Sequence, residues 1–354
     1  VTLDAATPAR PHDTADSRPM ARIAVDVGGT TVKGAAFTHD GSVIAHCTMA
    51  TFAAHRDALG SVRAVVARLV SEVGATGARA TGIGVASPGL VDAARGRVVY
   101  AANLGWADVD LVPALVDDFG LPVRIEHDAR AGAIAERAAH RNEAAAYREF
   151  IFVPIGTGVA AAVVTSGALV HGATGGAGEF GHMPIGPGRE LCGCGQRGCI
   201  EAYASASSVL RRYRARGGVG ATTTPELVAS LAHDADAASV WADLIEALAI
   251  GLGSLSAVLD PARIVIGGGL SQAGASLIDP LRAAIDAKLG WRATPTVVQS
   301  ALGSHSGLIG AGLLSDDRPV TSRFAVTAAS ALSSLRAVAP VEPVVLRPID
   351  SHHQ

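Results

Sequence analysis

Ile23-Ala24-Val25-Asp26-Val27-Gly28-Gly29-Thr30-Thr31-Val32-Lys33-Gly34-Ala35-Ala36-Phe37 is an apolar run, a small turn and a second apolar run. The first run, from Arg22 to Val27, alternates Ile and Val with small residues and suits a buried, pleated strand. Gly28-Gly29-Thr30 breaks it, Thr31 to Phe37 resumes it, and Asp40-Gly41 marks a second turn. The same plan returns later. Phe150 to Ile155 runs into Gly156-Thr157-Gly158, then Val159 to Val164, then a turn at Ser166-Gly167. Two hairpins of one plan, each with a glycine-bearing turn, predict two similar α/β domains.

Outward from these hairpins, Arg56 to Val73 and Ala237 to Leu259 have helical apolar spacing. Gly82 to Ala86, Pro122 to Ile125 and Arg263 to Ile266 read as short buried strands. Ala129 to Ala139 reads as an Ala-rich helix, and Gly307 to Leu314 as a small-residue helix. The expected layout is a tail at 1–20 and an N-terminal α/β domain at 21–127, completed by a helix at about 305–315. A C-terminal α/β domain at 128–304 follows, and then a tail at 318–354 whose one suggested element is a short helix over Ala328–Ala337. Residues 1–19 carry Pro8, Pro11 and Pro19 and no apolar stretch of signal-peptide type, so Met20 is the expected start.

Composition narrows the function classes. The chain has 354 residues, 49% hydrophobic and 17% charged, enough for two domains with real cores. A formal net charge of −3 supplies no positive field for nucleic acid or anionic membrane. No apolar stretch of about 18 residues runs without polar interruption, so no membrane span is expected. Three of the four cysteines, Cys192, Cys194 and Cys199, crowd together rather than spreading as a disulfide framework would. That suggests metal ligation in a reducing, cytoplasmic setting. Cys47 stands apart and reads as a small core residue.

The chemistry-bearing motifs fall at the turns. In Asp26-Val27-Gly28-Gly29-Thr30, glycines let backbone N–H groups approach a phosphate, and Thr30 adds a hydroxyl. Asp26 at the strand end can hold hydrated Mg²⁺. Alone, this segment is equally well a plain hairpin turn. Gly156-Thr157-Gly158 is weaker alone but, paired with the first turn, suggests a nucleotide held between two hairpins. Gly267-Gly268-Gly269 suits either a flat backbone surface for adenosine or a plain strand-to-helix connection. His182, Cys192, Cys194 and Cys199 offer one imidazole and three thiolates, a set that fits a closed tetrahedral Zn²⁺ site. Free buried thiols or a redox pair are the alternatives. Asp128, between a strand and a helix, is either an N-cap or a positioned base. Asn103, Glu179 and Glu201 sit on separate loops, as sugar-binding amides and carboxylates do.

Together these residues resemble the ROK family of repressors, open reading frames and kinases. The resemblance runs over about residues 21–315. Its most specific part is the zinc segment, from Glu179 to Ser205. DVGGTTVKG (Asp26 to Gly34), GVASPGLVD (Gly84 to Asp92), NLGW (Asn103 to Trp106), IGTG (Ile155 to Gly158) and IVIGGG (Ile264 to Gly269) are also similar. The resemblance implies the two-domain, actin-like ATPase (ribonuclease H-like) fold, with ATP and a sugar in the interdomain cleft. It implies an ATP-dependent kinase for the 6-hydroxyl of glucose or a related amino or N-acyl hexose, such as kanosamine or N-acetylmannosamine. Asp128 matches the catalytic base. Asn103, His127, Glu179, His182 and Glu201 match sugar-contacting positions, so His182 would serve both zinc and sugar. Asp26, Gly28, Gly29, Thr30, Lys33, Gly156, Thr157, Gly158, Gly267, Gly268 and Gly269 match the ATP and Mg²⁺ positions. Zn²⁺ would be structural, and a homodimer is an expectation from the resemblance.

One departure stands out. The family usually shows Glu-Asn-Asp-Ala-Asn around the base, and here Glu126-His127-Asp128-Ala129-Arg130 stands instead. His127 and Arg130 replace amides, which puts the choice of sugar in question. Two other classes are weighed against the kinase. A sugar-responsive repressor carries a DNA-binding winged helix ahead of this part, and the proline-bearing residues before Arg22 lack helical periodicity. A non-catalytic sugar-binding regulator would not need Asp26, Asp128 and both glycine turns.

Overall fold

The computed structural model describes residues 18–53, 57–185 and 190–335. Two five-stranded sheets dominate it. The first contains β1 (Met20–Val27), β2 (Thr31–Phe37), β3 (Val43–Ala50), β4 (Arg79–Ser87) and β8 (Val123–His127). Its order is β3-β2-β1-β4-β8. β2 pairs antiparallel to β1 and β3, whereas β4 runs parallel to β1 and β8. The second contains β9 (Phe150–Pro154), β10 (Ala162–Thr165), β11 (Ala168–Leu169), β12 (Arg263–Gly267) and β13 (Thr296–Gln299). Its order, β11-β10-β9-β12-β13, repeats the first with the same pattern of directions. Each sheet therefore opens with one of the glycine-turn hairpins. This duplicated topology is the actin-like ATPase fold.

A small third sheet, β5 (Leu90–Asp92), β6 (Arg97–Ala101) and β7 (Trp106–Val109), hangs off the end of β4. It carries Asn103 in the connection between β6 and β7.

Helices cover the sheets where their apolar faces require it. α1 (Ala58–Ala75) is capped by the Asp57 carboxylate, which accepts from the N–H groups of Leu59 and Gly60. It buries Val62, Val65, Val66, Leu69 and Val73 against the first sheet. α2 (Leu111–Phe119) closes the edge near β8 and ends at Gly120, which has φ +61°. Beyond the second sheet lie α4 (Glu201–Ala204), α5 (Ala206–Ala215), α6 (Thr224–Ser230), α7 (Ala235–Leu259) and α8 (Ala275–Lys288). α7 is long and apolar enough to cross a membrane by length and composition alone. It instead packs Leu244, Leu248 and Leu252 into the core beneath the second sheet.

α3 (Asp128–Ala139) belongs to both halves. Ala131 and Ala135 pack with Ala24, Ala86, Ile309 and Ala311 of the first half. Ala129 and Ala133, on the opposite face, pack with Phe150 and Phe152 of the second. Its alanines allow that double approach. α9 (Ser306–Leu314) crosses α3 and packs on β4 and β1.

Two expected boundaries are corrected. Met20 is not tail but the first residue of β1, paired with Arg79 of β4. Within the expected tail at 318–354, α10 (Phe324–Ser334) is folded onto the first sheet. Phe324 is buried edge-to-face on Phe37, at 5.6 Å between ring centroids. The chain is held there because Phe324 and Ala328 join α9 in covering the face on which β2 presents Phe37. Residues 1–17 and 336–354, and 186–189 of the zinc loop, lie outside the described residues.

Candidate active site

The first hairpin turn is tight. Gly28 donates its N–H to Thr31 O at 2.9 Å, and Thr51 closes the other side by donating Oγ1–H to Gly28 O at 2.6 Å. A Cβ on Gly28 would lie 2.9 Å from Thr31 O, which is why glycine stands there. A Cβ on Gly29 would meet the Asn103 amide, at 3.3 Å from Nδ2. The turn and Asn103 are thus neighbours. Thr30 is exposed at the tip, and Lys33 pairs across the hairpin with Asp26.

Asp26 ends β1 facing the start of α9, where a Cβ on Gly307 would be 3.3 Å from its Oδ1. Burial pushes the Asp26 carboxyl up to about 6, with Lys33 opposing the shift and the Asp128 charge adding to it. The Asp128 charge therefore bears on Asp26 from the start of α3. His305, one residue before α9, is half-buried, and burial together with Lys33 lowers its pKa.

Asp128 begins α3, and its Oδ1 accepts from Ala129 N–H at 2.6 Å. His127, at the end of β8, is the N-cap proper. Its Nδ1 accepts from the same N–H at 3.3 Å. The ring is buried, and its Nε2 has no hydrogen-bond partner among the described residues.

The second turn lies against the third. Ile155 donates its N–H to Gly267 O, and Leu270 donates to Ile155 O, both at 3.0 Å. Gly268 has φ +74°, and a Cβ there would collide with the Ile155 backbone. Cβ atoms on Gly156 and Gly269 would meet nothing within 4 Å, so these two glycines border open space. Thr157 accepts at its carbonyl from Ser207 Oγ at 3.1 Å.

Glu201 joins this turn to the cysteine loop. Its Oε2 accepts from Val159 N–H at 2.8 Å, and its Oε1 lies 4.0 Å from Cys192 Sγ. A Cβ on Gly158 would come within 2.7 Å of that carboxylate. Glu179 is exposed, with Oε2 3.8 Å from His182 Nε2.

The candidate ligand atoms of His182, Cys192, Cys194 and Cys199 all lie within 4.8 Å of one another. Cys192 Sγ is 3.7 Å from His182 Nδ1, and Cys194 Sγ is 3.7 Å from Cys199 Sγ. A tetrahedral ion with Zn–S distances of about 2.3 Å needs ligand–ligand separations of about 3.5–3.8 Å. Two of the six ligand pairs stand at that separation, so the set is compatible with such an ion, and His182 would use Nδ1, leaving Nε2 toward Glu179.

The expected residues thus form three linked groups. They are Asp26, Lys33, Gly28 to Thr30 and Asn103; the turns at 156–158 and 267–269 with Glu201; and the cysteine loop with His182 and Glu179. His127 and Asp128 sit on α3, between the halves. Sequence reading overlooked Glu126, His171 and the working of Arg130. Glu126 is buried and accepts from His127 N–H at 2.8 Å, from Arg130 Nε at 2.6 Å and from His171 Nε2 at 2.9 Å. Burial alone would raise its pKa, but the Arg130 charge and these donors hold it below its ordinary value.

The sequence matches the model of the ROK family over residues 22–318. The chain belongs to the ROK family. Glucokinase of Halalkalibacterium halodurans is 32% identical over 317 residues, covering 82% of this chain and 94% of that protein. Glucokinase of Streptomyces coelicolor is 28% identical over 313 residues, covering 82% and 95%. A ROK family glucokinase from Streptomyces griseus, solved in complex with glucose and AMPPNP, is 28% identical with a TM-score of 0.72, covering 83% of this chain and 99% of that one. The xylose repressor of Bacillus subtilis, at 29% identity, is matched over only 53% of its length. These glucokinases are matched over 94–99% of their own length, and this chain is a sugar kinase.

Proposed function

We propose that this ROK protein is an ATP-dependent hexose kinase that transfers the γ-phosphate to a sugar 6-hydroxyl, with Asp128 as the base. The observation that carries this reading is that Asp26 faces the start of α9 while Asp128 begins α3, the helix that α9 crosses. One carboxylate belongs to a glycine turn suited to phosphate, and the other begins a helix facing it.

Asp128 takes the proton from the sugar hydroxyl as its oxygen attacks the γ-phosphorus and the bond to ADP breaks. Phosphoryl transfer depends chiefly on alignment and charge neutralisation, so an ordinary carboxylate suffices. Gly28, Gly29 and Thr30, with Lys33, cradle the phosphates. The turns at Gly156-Thr157-Gly158 and Gly267-Gly268-Gly269 line the nucleoside end. Asp26 holds the Mg²⁺ that accompanies ATP and neutralises its charge. Asn103, His127, Glu179, His182 and Glu201 hold the sugar. His182, Cys192, Cys194 and Cys199 would hold a Zn²⁺ that orders the loop presenting Glu179 and Glu201. Cysteines that ligate a metal rather than pair as disulfides suit a cytoplasmic enzyme.

His127 bears on which hexose. Its Nδ1 lies 3.3 Å from the Ala129 N–H and 3.3 Å from the Asp128 carboxylate, so either neutral tautomer finds a partner and Nε2 can present a donor or an acceptor to the sugar. Glucose, an N-acyl hexose and a free amino sugar such as kanosamine therefore all enter the test.

The test is an ADP-release assay with Mg-ATP over glucose, mannose, N-acetylglucosamine, N-acetylmannosamine, glucosamine and kanosamine, run beside Asp128→Asn. The expected outcome is turnover of a hexose and a loss of about three orders of magnitude or more in kcat for Asp128→Asn, with melting unchanged. Near wild-type turnover in Asp128→Asn would remove the base assignment. Saturable sugar binding without transfer of phosphate to any hexose would favour a non-catalytic regulator.

A further inference from the structure

Arg130 is the largest fully buried side chain of the described residues, at 1% exposure. It lies on α3, two residues after the proposed base. The related pattern has an amide at this position, and a buried arginine needs a reason. Its Nε donates to Glu126 at 2.6 Å, a charge-assisted pair inside the protein. Its Nη1 donates twice more, to Gly175 O at 3.0 Å and Ala177 O at 3.2 Å. Nη2 is buried without a partner among the described residues. The planar fork spreads its donors over separate nitrogens and so reaches three acceptors that lie apart, which lysine's single nitrogen does not.

The two carbonyls belong to the segment from His171 to Gly178, which joins β11 to Glu179. Two further hydrogen bonds and two close approaches locate this segment. His171 Nε2 bonds the second oxygen of Glu126 at 2.9 Å. A Cβ on Gly175 would lie 2.5 Å from Val91 O, and one on Gly176 would lie 3.2 Å from Leu90 Cδ1. Both contacts are with β5, in the small sheet that also carries Asn103. At the far end Ala161 donates its N–H to Gly178 O at 2.8 Å. The segment is a strap from the second sheet to the small sheet of the first half, with Arg130 beneath it.

We infer that Arg130 is a positioning residue for the sugar site: it ties the strap 171–178 to α3, so that Glu179 and Asp128 are held in one frame. The inference rests on the proposed sugar site for its consequence, though the tether itself does not. Glu126 is the counter-ion that makes a buried guanidinium tolerable, and its second oxygen takes His171. Sugar affinity then depends on the two carbonyl bonds, whereas stability depends mainly on the Glu126 pair.

Lysine separates the two. Arg130→Lys keeps a cation for Glu126 and loses the fork. Arg130→Met with Glu126→Gln removes both charges together, so no carboxylate is stranded. Three quantities are measured on each protein with its metal intact: melting temperature, amide hydrogen exchange of residues 171–179, and KM for the hexose and for ATP. The expected result for Arg130→Lys is melting within a few degrees of wild type, exchange in the strap at least 10-fold faster, and sugar KM at least 10-fold higher. ATP KM stays within about twofold. Unchanged exchange in both variants overturns the tether, whatever the protein phosphorylates. Faster exchange with unchanged sugar KM, or sugar and ATP KM rising together in step with melting, overturns the positioning role. If the wild type phosphorylates no hexose, the kinase reading fails on that ground, and the exchange measurement still decides the tether.

Discussion

Asp26 shows how one residue is tuned by its place. Its carboxyl is pushed up to about 6, with burial the first cause. The folded state therefore holds the proton more tightly than the unfolded chain, whose Asp titrates near about 3.9. The associated stability is fully present below about pH 4 and is lost as pH rises through about 6. Ionised Asp26 is a cost that the protein carries at neutral pH, of about 1–3 kcal/mol. Asp26→Asn should recover that amount in chemical denaturation at pH 7.5 and show no gain at pH 4. A divalent cation reverses the preference by favouring the carboxylate. Binding of Mg-AMPPNP at pH 6 should then release about half a proton, and at pH 8 none. Calorimetry in two buffers of different ionisation enthalpy reads this directly. No proton release at pH 6 would remove Asp26 from the cation site.

The neighbours of Asp26 also mark where residue-level reading ends. The glycine turns, Asp128 and the cysteine cluster are legible because each is a local pattern with its own chemistry. Arg130 and His171 are not. Arg130 reads as a charged residue on a helix face, and nothing near it in sequence announces Glu126 beneath or the strap above. His171 lies in a glycine-rich run that suggests only a loop. Their partnership exists only after α3 and the second sheet have been packed together.

At the scale of elements, the hairpins were readable and the last helix was not. β1–β2 and β9–β10 combine β-branched runs with glycine turns, so local propensity and tertiary role agree. α10 is built from Phe324, alanines and serines without sustained polar alternation. Its position is decided by the Phe37 face that it covers. The cysteine loop is a third kind of element, with almost no regular structure of its own. Between His182 and Ile200 it has isolated bridges, Pro184 with Cys199 and Leu191 with Arg197, and turn hydrogen bonds such as Gly195 N–H to Cys192 O at 3.0 Å. Among the described residues its order comes from such scattered backbone hydrogen bonds, and an ion on the four proposed ligands would add to it. Cys194→Ser, at the one exposed ligand, should lower zinc below one atom per chain by atomic absorption. It should raise sugar KM at least 10-fold and leave ATP KM within about twofold, because Glu179 and Glu201 lose their common support. A full zinc complement in the variant would count against this ligand set.

At the scale of the whole molecule, the two halves meet along α3 and α9. The duplicated hairpins foretell two similar sheets. They do not say that one alanine-rich helix serves both, because alanine spacing alone leaves the partner faces open. The crossing of α3 and α9 is close enough to exclude side chains. A Cβ on Gly310 would stand 1.9 Å from Ala131 O, and one on Gly84, on the β4 side of α9, would stand 1.8 Å from Ala311 O. Asp128 begins one of these helices, and Asp26 faces the start of the other at Gly307. The spacing of the two carboxylates is therefore set by backbone contact at the crossing. Gly310→Ala should push α3 away from α9, because the obstacle is backbone and cannot rotate aside. The expected cost is about 1–3 kcal/mol of stability with a fall of at least 10-fold in kcat. Gly253→Ala is the comparison, since that glycine also lies within a helix, α7, and its Cβ would meet only Lys288 Cβ at an ordinary 3.7 Å. There, helix propensity should dominate and add about 0.5–1 kcal/mol, with kcat unchanged. Urea denaturation and steady-state kinetics on the two variants separate a glycine that spaces the catalytic groups from one that merely sits in a helix. Equal tolerance of both would mean that the crossing yields, and that the distance between Asp26 and Asp128 is set elsewhere.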